Sequence, residues 1–146
     1  MTKYISIDPG KFKCGLIFAD FDRKKILKAV VIESQFLVQD IKNLKKKHQN
    51  VKVIMGNGTS SKEHANSLSF LGENLLLVEE KNTTLRAKQR YFELYPLQGL
   101  KRLLPKDIFL YNLNLDAVAA LIILEDFLNF KFTLKCDLIS KTWMKQ

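Results

Sequence analysis

The sequence has little cysteine, proline or glycine, and it lacks long hydrophobic runs. Its two cysteines, Cys14 and Cys136, form no CxxC pair among 146 residues. That spacing offers no structural zinc site and suits a reduced, cytoplasmic setting. With only three prolines and six glycines, no Pro/Gly/Ser-rich linker divides the chain. The longest apolar runs, Ala117–Leu124 and Leu75–Val78, fall far short of the ~20 residues a membrane span needs. Met1-Thr2-Lys3-Tyr4 leads straight into a strand-like run, which predicts no secretory leader. Acidic residues are also scarce: 15 Asp and Glu stand against 24 Lys and Arg, a net charge of +9. Such an excess points to a polyanionic partner, either nucleic acid or an anionic membrane surface. Hydrophobic residues at 47% and charged residues at 27% exclude a disordered chain. The length suits one domain over residues 1–146, which would bury roughly 70% of its unfolded surface.

Lys3–Asp8 alternates in strand fashion, with Tyr4 and Ser6 on one face and Ile5 and Ile7 on the other. Pro9-Gly10 stops it. Cys14–Asp20 and Lys25–Glu33 read as two further strands around the polar turn Asp20–Lys24, predicting an antiparallel meander. The period then changes. Phe36, Leu37, Ile41 and Leu44 recur at helical spacing, and Lys45-Lys46-Lys47 suits that helix's C-terminal dipole. Val51–Met55 is a short strand closed by Gly56-Asn57-Gly58. Ser60-Ser61-Lys62-Glu63 resembles a capping box for a helix to about Leu71, with Gly72 at its end. The continuously apolar Leu75–Val78 predicts a strand buried on both faces. A helix over Thr83–Leu94 stops before Pro96, and Leu97–Leu110 is irregular and basic. Asn112 or Asn114 could cap a last helix from Leu115 to about Asn129; residues 130–146 carry no clear pattern. A meander followed by β-α alternation predicts an α/β fold: one mixed five-stranded sheet with helices on both faces. Its site should lie beyond the carboxyl ends of the strands.

Four acids stand where such a site would form. Asp8 ends the first strand, Glu79 and Glu80 end the last, and Asp116 opens the last helix. Each has a plain structural account: a turn residue before Pro-Gly, solvated strand-end charges, and an anion favoured by a helix dipole. Asp116, however, shares a helical stripe with Ala119, Ala120, Ile123 and Phe127. Glu125 falls about 180° away, so the solvent face should centre near Glu125 and Asn129. A carboxylate on an apolar stripe needs a partner. If Asp8, one of the glutamates and Asp116 converge, their like charges raise one another's pKa, and a divalent cation reverses that sign. All-oxygen ligands suit magnesium or manganese, and two such ions ~3.5–4 Å apart are the usual arrangement for phosphodiester hydrolysis. Glu79 and Glu80 point to opposite faces of a strand, and both faces are apolar, so periodicity does not choose between them.

The basic surface concentrates in residues 81–106, where Lys81, Arg86, Lys88, Arg90, Lys101, Arg102 and Lys106 face Glu93 alone. Arg86 and Arg90, four apart, share a helix face, and the interleaved Tyr91 and Tyr95 could stack on bases. A carboxylate triad beside such a surface reads as a nuclease. His48 and His64 lack ligand-like spacing and read as surface residues. Cys14 reads as a small core hydrophobe. Gly56-Asn57-Gly58 lacks the ending of a phosphate loop and reads as a tight turn.

Ile5-Ser6-Ile7-Asp8-Pro9-Gly10, with Gly15-Leu16 on the next strand, resembles the opening of RuvC-type Holliday-junction resolvases and their YqgF relatives. Glu79-Glu80-Lys81-Asn82-Thr83-Thr84 resembles the YqgF motif Asp-Glu-Arg-x-Thr-Thr, with Glu79 and Lys81 as departures. Leu115-Asp116-Ala117-Val118-Ala119-Ala120 resembles the closing Asp-x-x-Ala-Ala helix. The resemblance implies an RNase H-like fold and a magnesium- or manganese-dependent endonuclease acting on branched DNA. It assigns catalytic and metal-binding roles to Asp8, Glu80 and Asp116. Leu113 stands where RuvC has a fourth acid. The YqgF branch implies maturation of ribosomal RNA instead, and a nucleic-acid-binding protein with a degraded site is the non-enzymatic alternative. A homodimer is compatible with either. Asp8-Pro9-Gly10 with Gly15 also resembles the phosphate loop of actin-like kinases, which need two such domains around a nucleotide.

Overall fold

Alternating apolar residues at the N-terminus build three consecutive antiparallel strands, β1 (Lys3–Asp8), β2 (Lys13–Asp20) and β3 (Lys25–Glu33). The computed structural model describes residues 2–110 and 114–133; Asn112, Leu113, Cys136 and the rest of the tail lie outside the described residues. After a 3-10 turn over Ser34–Phe36 come α1 (Leu37–Lys47), β4 (Val51–Gly56), α2 (Ser61–Ser67), β5 (Leu75–Val78), α3 (Thr83–Leu94) and α4 (Asp116–Leu128). The strands form one sheet in the order β3-β2-β1-β4-β5, with β4 and β5 parallel to β1. The chain is thus α/β, with a mixed sheet of three antiparallel and two parallel strands.

Each sheet face carries its own apolar layer. Ile5, Ile7, Cys14, Leu16 and Phe18 pack under α1 and the segment after α2. Tyr4, Ile17, Ala19 and Ile54 pack under α4, and α3 closes over α4 with Ala87 and Tyr91. Among the described residues, no helix is long and apolar enough to cross a membrane.

Four expectations change. Leu75–Val78 is not buried on both faces: β5 is an edge strand, and Leu77 is 53% exposed. α2 stops at Ser67 and gives way to a 3-10 segment, Ser69–Asn74, in which Gly72 takes φ +52°. α4 has no solvent face near Glu125. It lies between the sheet and α3, so every residue from Ala117 to Glu125 is buried. Arg90, expected on a basic surface, is only 8% exposed.

The last two corrections have one cause. Arg90 on α3 meets Glu125 on α4 through two hydrogen bonds, Nη2 to Oε1 at 2.6 Å and Nε to Oε2 at 3.0 Å. Arg90 Nη2 also donates to the Phe132 carbonyl, and the Phe132 N–H donates to Glu125. The pair therefore ties two helices and the chain beyond α4 together. A buried ion pair adds little over an apolar substitute, but removing one partner strands the other charge. Arg90→Met should lower stability by about 3–5 kcal/mol, read as a fall in denaturation midpoint, whereas Arg90→Met with Glu125→Leu should recover most of that loss.

Candidate functional site

β1, β4 and β5 run parallel, so their carboxyl ends reach the same edge of the sheet, and β1 delivers Asp8 there. Asp8 faces Gly15 across the antiparallel ladder, and because Ile7 faces Met55 in the parallel one, Asp8 comes level with Gly56. Directly paired residues share a sheet face. Asp8 is therefore flanked on both neighbouring strands by positions with no side chain. Other groups fill those two spaces. A Cβ on Gly15 would collide with the Asp116 carbonyl and lie 2.7 Å from the Ala117 nitrogen, so the first turn of α4 rests directly on β2. A Cβ on Gly56 would collide with Glu80 Oε2, and one on Gly58 would lie 2.7 Å from Glu80 Oε1. The Glu80 carboxyl thus lies against the two glycines at the end of β4.

Asn57 holds that arrangement. Its N–H donates to the Val78 carbonyl at 3.0 Å, and its Oδ1 accepts from the Glu80 N–H at 3.2 Å. The turn therefore grips the chain on both sides of Glu79. Glu79 points into solvent and pairs with Lys81 at 3.4 Å. At the helix end, Asn114 Oδ1 accepts from the Asp116 N–H at 2.9 Å.

The electrostatics follow from this crowding. Burial, then Glu80, then Asp116 push the Asp8 carboxyl from 3.8 up to about 7. Burial alone raises Glu80. It also raises Asp116, against a hydrogen bond from the Asn114 side chain and the nearby Lys13 ammonium. Glu80 Oε2 is buried without a hydrogen-bond partner, as is Ser6 Oγ two residues before Asp8.

These observations fit a hard divalent cation: an oxygen-only donor set, and a buried carboxylate oxygen without a partner that the glycines at the end of β4 let approach the backbone. Among the described residues, no three acidic, histidine or cysteine side chains are gathered tightly enough to hold a metal ion by themselves. Magnesium commonly takes one or two carboxylates and completes its shell with water and substrate phosphate.

The basic residues separate into two groups. Arg86 is committed to Asp126 by two 2.7 Å hydrogen bonds, and Lys88 pairs with Asp107 at 3.4 Å. Lys106 lies over Phe92, and Lys81 is tied to Glu79. Lys101 and Arg102 are exposed on a 3-10 turn, where Arg102 Nε donates to the Leu97 carbonyl. The local charge excess of residues 81–106 is thus partly neutralised by Glu79, by Glu125 and Asp126 of α4, and by Asp107, which a count over that segment leaves out. Tyr91 is a core residue, 3% exposed and so withheld from base stacking, whereas Tyr95 is half-buried against that core.

His64, expected at the surface, is buried. Its Nε2 donates to the Gly10 carbonyl at 2.8 Å and lies 3.7 Å from Cys14 Sγ. Ser34 Oγ donates to the same carbonyl at 2.9 Å. The turn after Asp8 is therefore pinned by Ser34, in the 3-10 turn after β3, and by His64 of α2. Reading acids alone misses Gly15, Gly56, Gly58 and Asn57. Their signal is positional: glycines at the strand ends next to the candidate acids. Neither a family model nor a curated protein matches this sequence.

Proposed function

We propose that the chain is a divalent-metal-dependent endonuclease with an RNase H-like fold, cutting branched DNA. One observation carries this reading: Asp8 at the end of β1, Glu80 just beyond β5 and Asp116 at the start of α4 meet at one end of the sheet, where the charges of Glu80 and Asp116 act on a buried Asp8. The three-strand antiparallel meander continued by two parallel strands supports the fold assignment. The overall charge of +9 supports a polyanionic substrate.

Asp8, Glu80 and Asp116 would hold magnesium or manganese, which when bound supplies positive charge against the scissile phosphate and lowers the pKa of water. The chain's own contribution is placement. Gly15 and Gly56 let two acids approach Asp8, Asn57 holds the backbone that orients Glu80, and Lys13 favours the ionised form of Asp116. Lys101 and Arg102 present cations to the phosphate backbone.

The test is magnesium-dependent cleavage of a four-way DNA junction and of a structured RNA by purified protein. Cleavage of the junction supports the reading, cleavage of RNA alone moves the substrate to ribosomal RNA precursors, and inactivity on both overturns it. Glu80→Gln should lose nearly all turnover at unchanged substrate affinity, because what it removes acts mainly in the transition state. Glu79→Gln should keep most of it, since Glu79 faces solvent. A second reading, a nucleic-acid binder without turnover, draws on the absence of a tight three-ligand cluster among the described residues. Titration calorimetry with magnesium decides it: no heat at Asp8 and Glu80, together with intact nucleic-acid binding, selects the binder.

A further inference from the structure

The turn between β1 and β2 carries Lys11 and Phe12, and β2 opens with Lys13, all three exposed. Phe12 is 75% exposed and belongs to neither apolar layer. Lys11 Nζ stands 5.3 Å from the centre of its ring. An exposed aromatic on a loose loop would mean little, but this turn is held. The Gly10 carbonyl accepts from both His64 and Ser34, and the Phe12 carbonyl accepts from the Ser34 N–H at 2.9 Å. Gly10 is also packed so closely against Lys13 that a Cβ there would strike the Lys13 carbonyl. The backbone around Phe12 is therefore set before any ligand arrives, so little ordering accompanies binding. The position is equally specific. Phe12 lies four residues from Asp8, hence within about 14 Å along the chain, and Lys13 is close enough to act on Asp116.

We infer that Lys11–Phe12–Lys13 is a nucleotide-binding tip at the rim of the acidic site, where Phe12 stacks on an unpaired base and the two lysines hold its flanking phosphates. Lys11 occupies one side of the ring, and a base would take the other. Stacking requires a free base face, which a continuous duplex does not offer and a branch, loop or single strand does. The tip therefore directs the site toward unpaired nucleotides. The inference rests on the nuclease reading proposed above.

The experiment is fluorescence anisotropy in EDTA, with oligothymidylate, oligouridylate and a blunt DNA duplex as probes across a range of salt. Phe12→Ala should weaken binding of the single strands about tenfold without changing the salt slope, because stacking releases no counterions. Phe12→Trp should retain wild-type affinity. Lys13→Gln should reduce the slope by about 0.7 on a single strand. A larger loss on oligothymidylate identifies DNA as the source of the base, and a larger loss on oligouridylate identifies RNA; both support the tip. Phe12→Ala binding as tightly as wild type overturns the inference, as does an equal loss on the duplex. Gel filtration covers the remaining use of an exposed phenylalanine: a wild-type dimer that Phe12→Ala dissociates, with nucleic-acid affinity intact, also overturns it. Wild-type protein that binds neither single strand, like binding indifferent to Phe12, overturns the tip alone; the nuclease reading falls only with inactivity on both the four-way junction and the structured RNA.

Discussion

Asp8→Asn should raise thermal stability at pH 8, leave it unchanged near pH 4, and abolish magnesium-dependent cleavage. The sign follows from linkage. Asp8 has a folded-state pKa of about 7 against 3.8 for the free side chain. Between those values the folded protein binds more protons than the unfolded chain, so wild-type stability falls as pH rises from about 4 to about 7. Above pH 7 the full cost of an ionised carboxylate beside Glu80 and Asp116 is present, at most about 4 kcal/mol. Asparagine keeps the shape and carries no charge, so the variant escapes that cost. A bound divalent cation offsets the same repulsion, and millimolar magnesium should raise the wild-type melting temperature at pH 8 more than that of Asp8→Asn. Denaturation scans at pH 4 and pH 8, with magnesium and with EDTA, check all of this. A variant less stable than wild type at pH 8 would show Asp8 to be a structural turn residue.

Gly15→Ala should be among the most damaging single-methyl additions in the chain. The added carbon would meet the Asp116 carbonyl and the Ala117 nitrogen, which are backbone atoms of the first turn of α4 and cannot rotate away. Either α4 lifts from the sheet or β2 shifts. Over-packing of this kind costs about 3 kcal/mol, and α4 is the helix whose buried face joins the sheet to α3. Any accommodation also carries Asp116 away from Asp8, so turnover should be lost with the stability. Gly58→Ala is the informative contrast. Its added carbon meets only the carboxyl end of Glu80, the tip of a flexible side chain. Stability should stay within about 0.5 kcal/mol of wild type while cleavage falls steeply. Chemical denaturation and activity assays on the two variants separate the effects. Equal stability of Gly15→Ala and wild type would overturn the close approach of α4 to β2.

Periodicity made most of the architecture legible. Lys3–Asp8, Lys25–Glu33, Leu75–Val78 and Thr83–Leu94 end where alternation, helical spacing or a proline ends, because those patterns report which side of a segment meets the core. The meander and the β-α alternation that follows it were legible for the same reason. So were the positions of Asp8 and Asp116, at a strand end and in a first helical turn. The choice between Glu79 and Glu80 was not, since both faces of Leu75–Val78 are apolar. Only the turn at Gly56–Gly58, brought beside β5 by parallel pairing, directs one carboxyl inward and leaves the other in water.

The sequence by itself determined the element types, their order, the reduced count of acids and the acids at element ends, since each depends on residues near one another in the chain. Tertiary structure alone decided which charges survive as surface charges. Arg90 reads as a surface cation until Glu125, 35 residues away, closes on it, and Arg86 reads as free until Asp126 does. It also turned a glycine on β2 and another on β4 into the space that two carboxyl-bearing elements occupy. The physical reason is common to all these cases. Burial and charge pairing are properties of neighbours in space, and for a sheet with crossover helices those neighbours lie tens of residues apart.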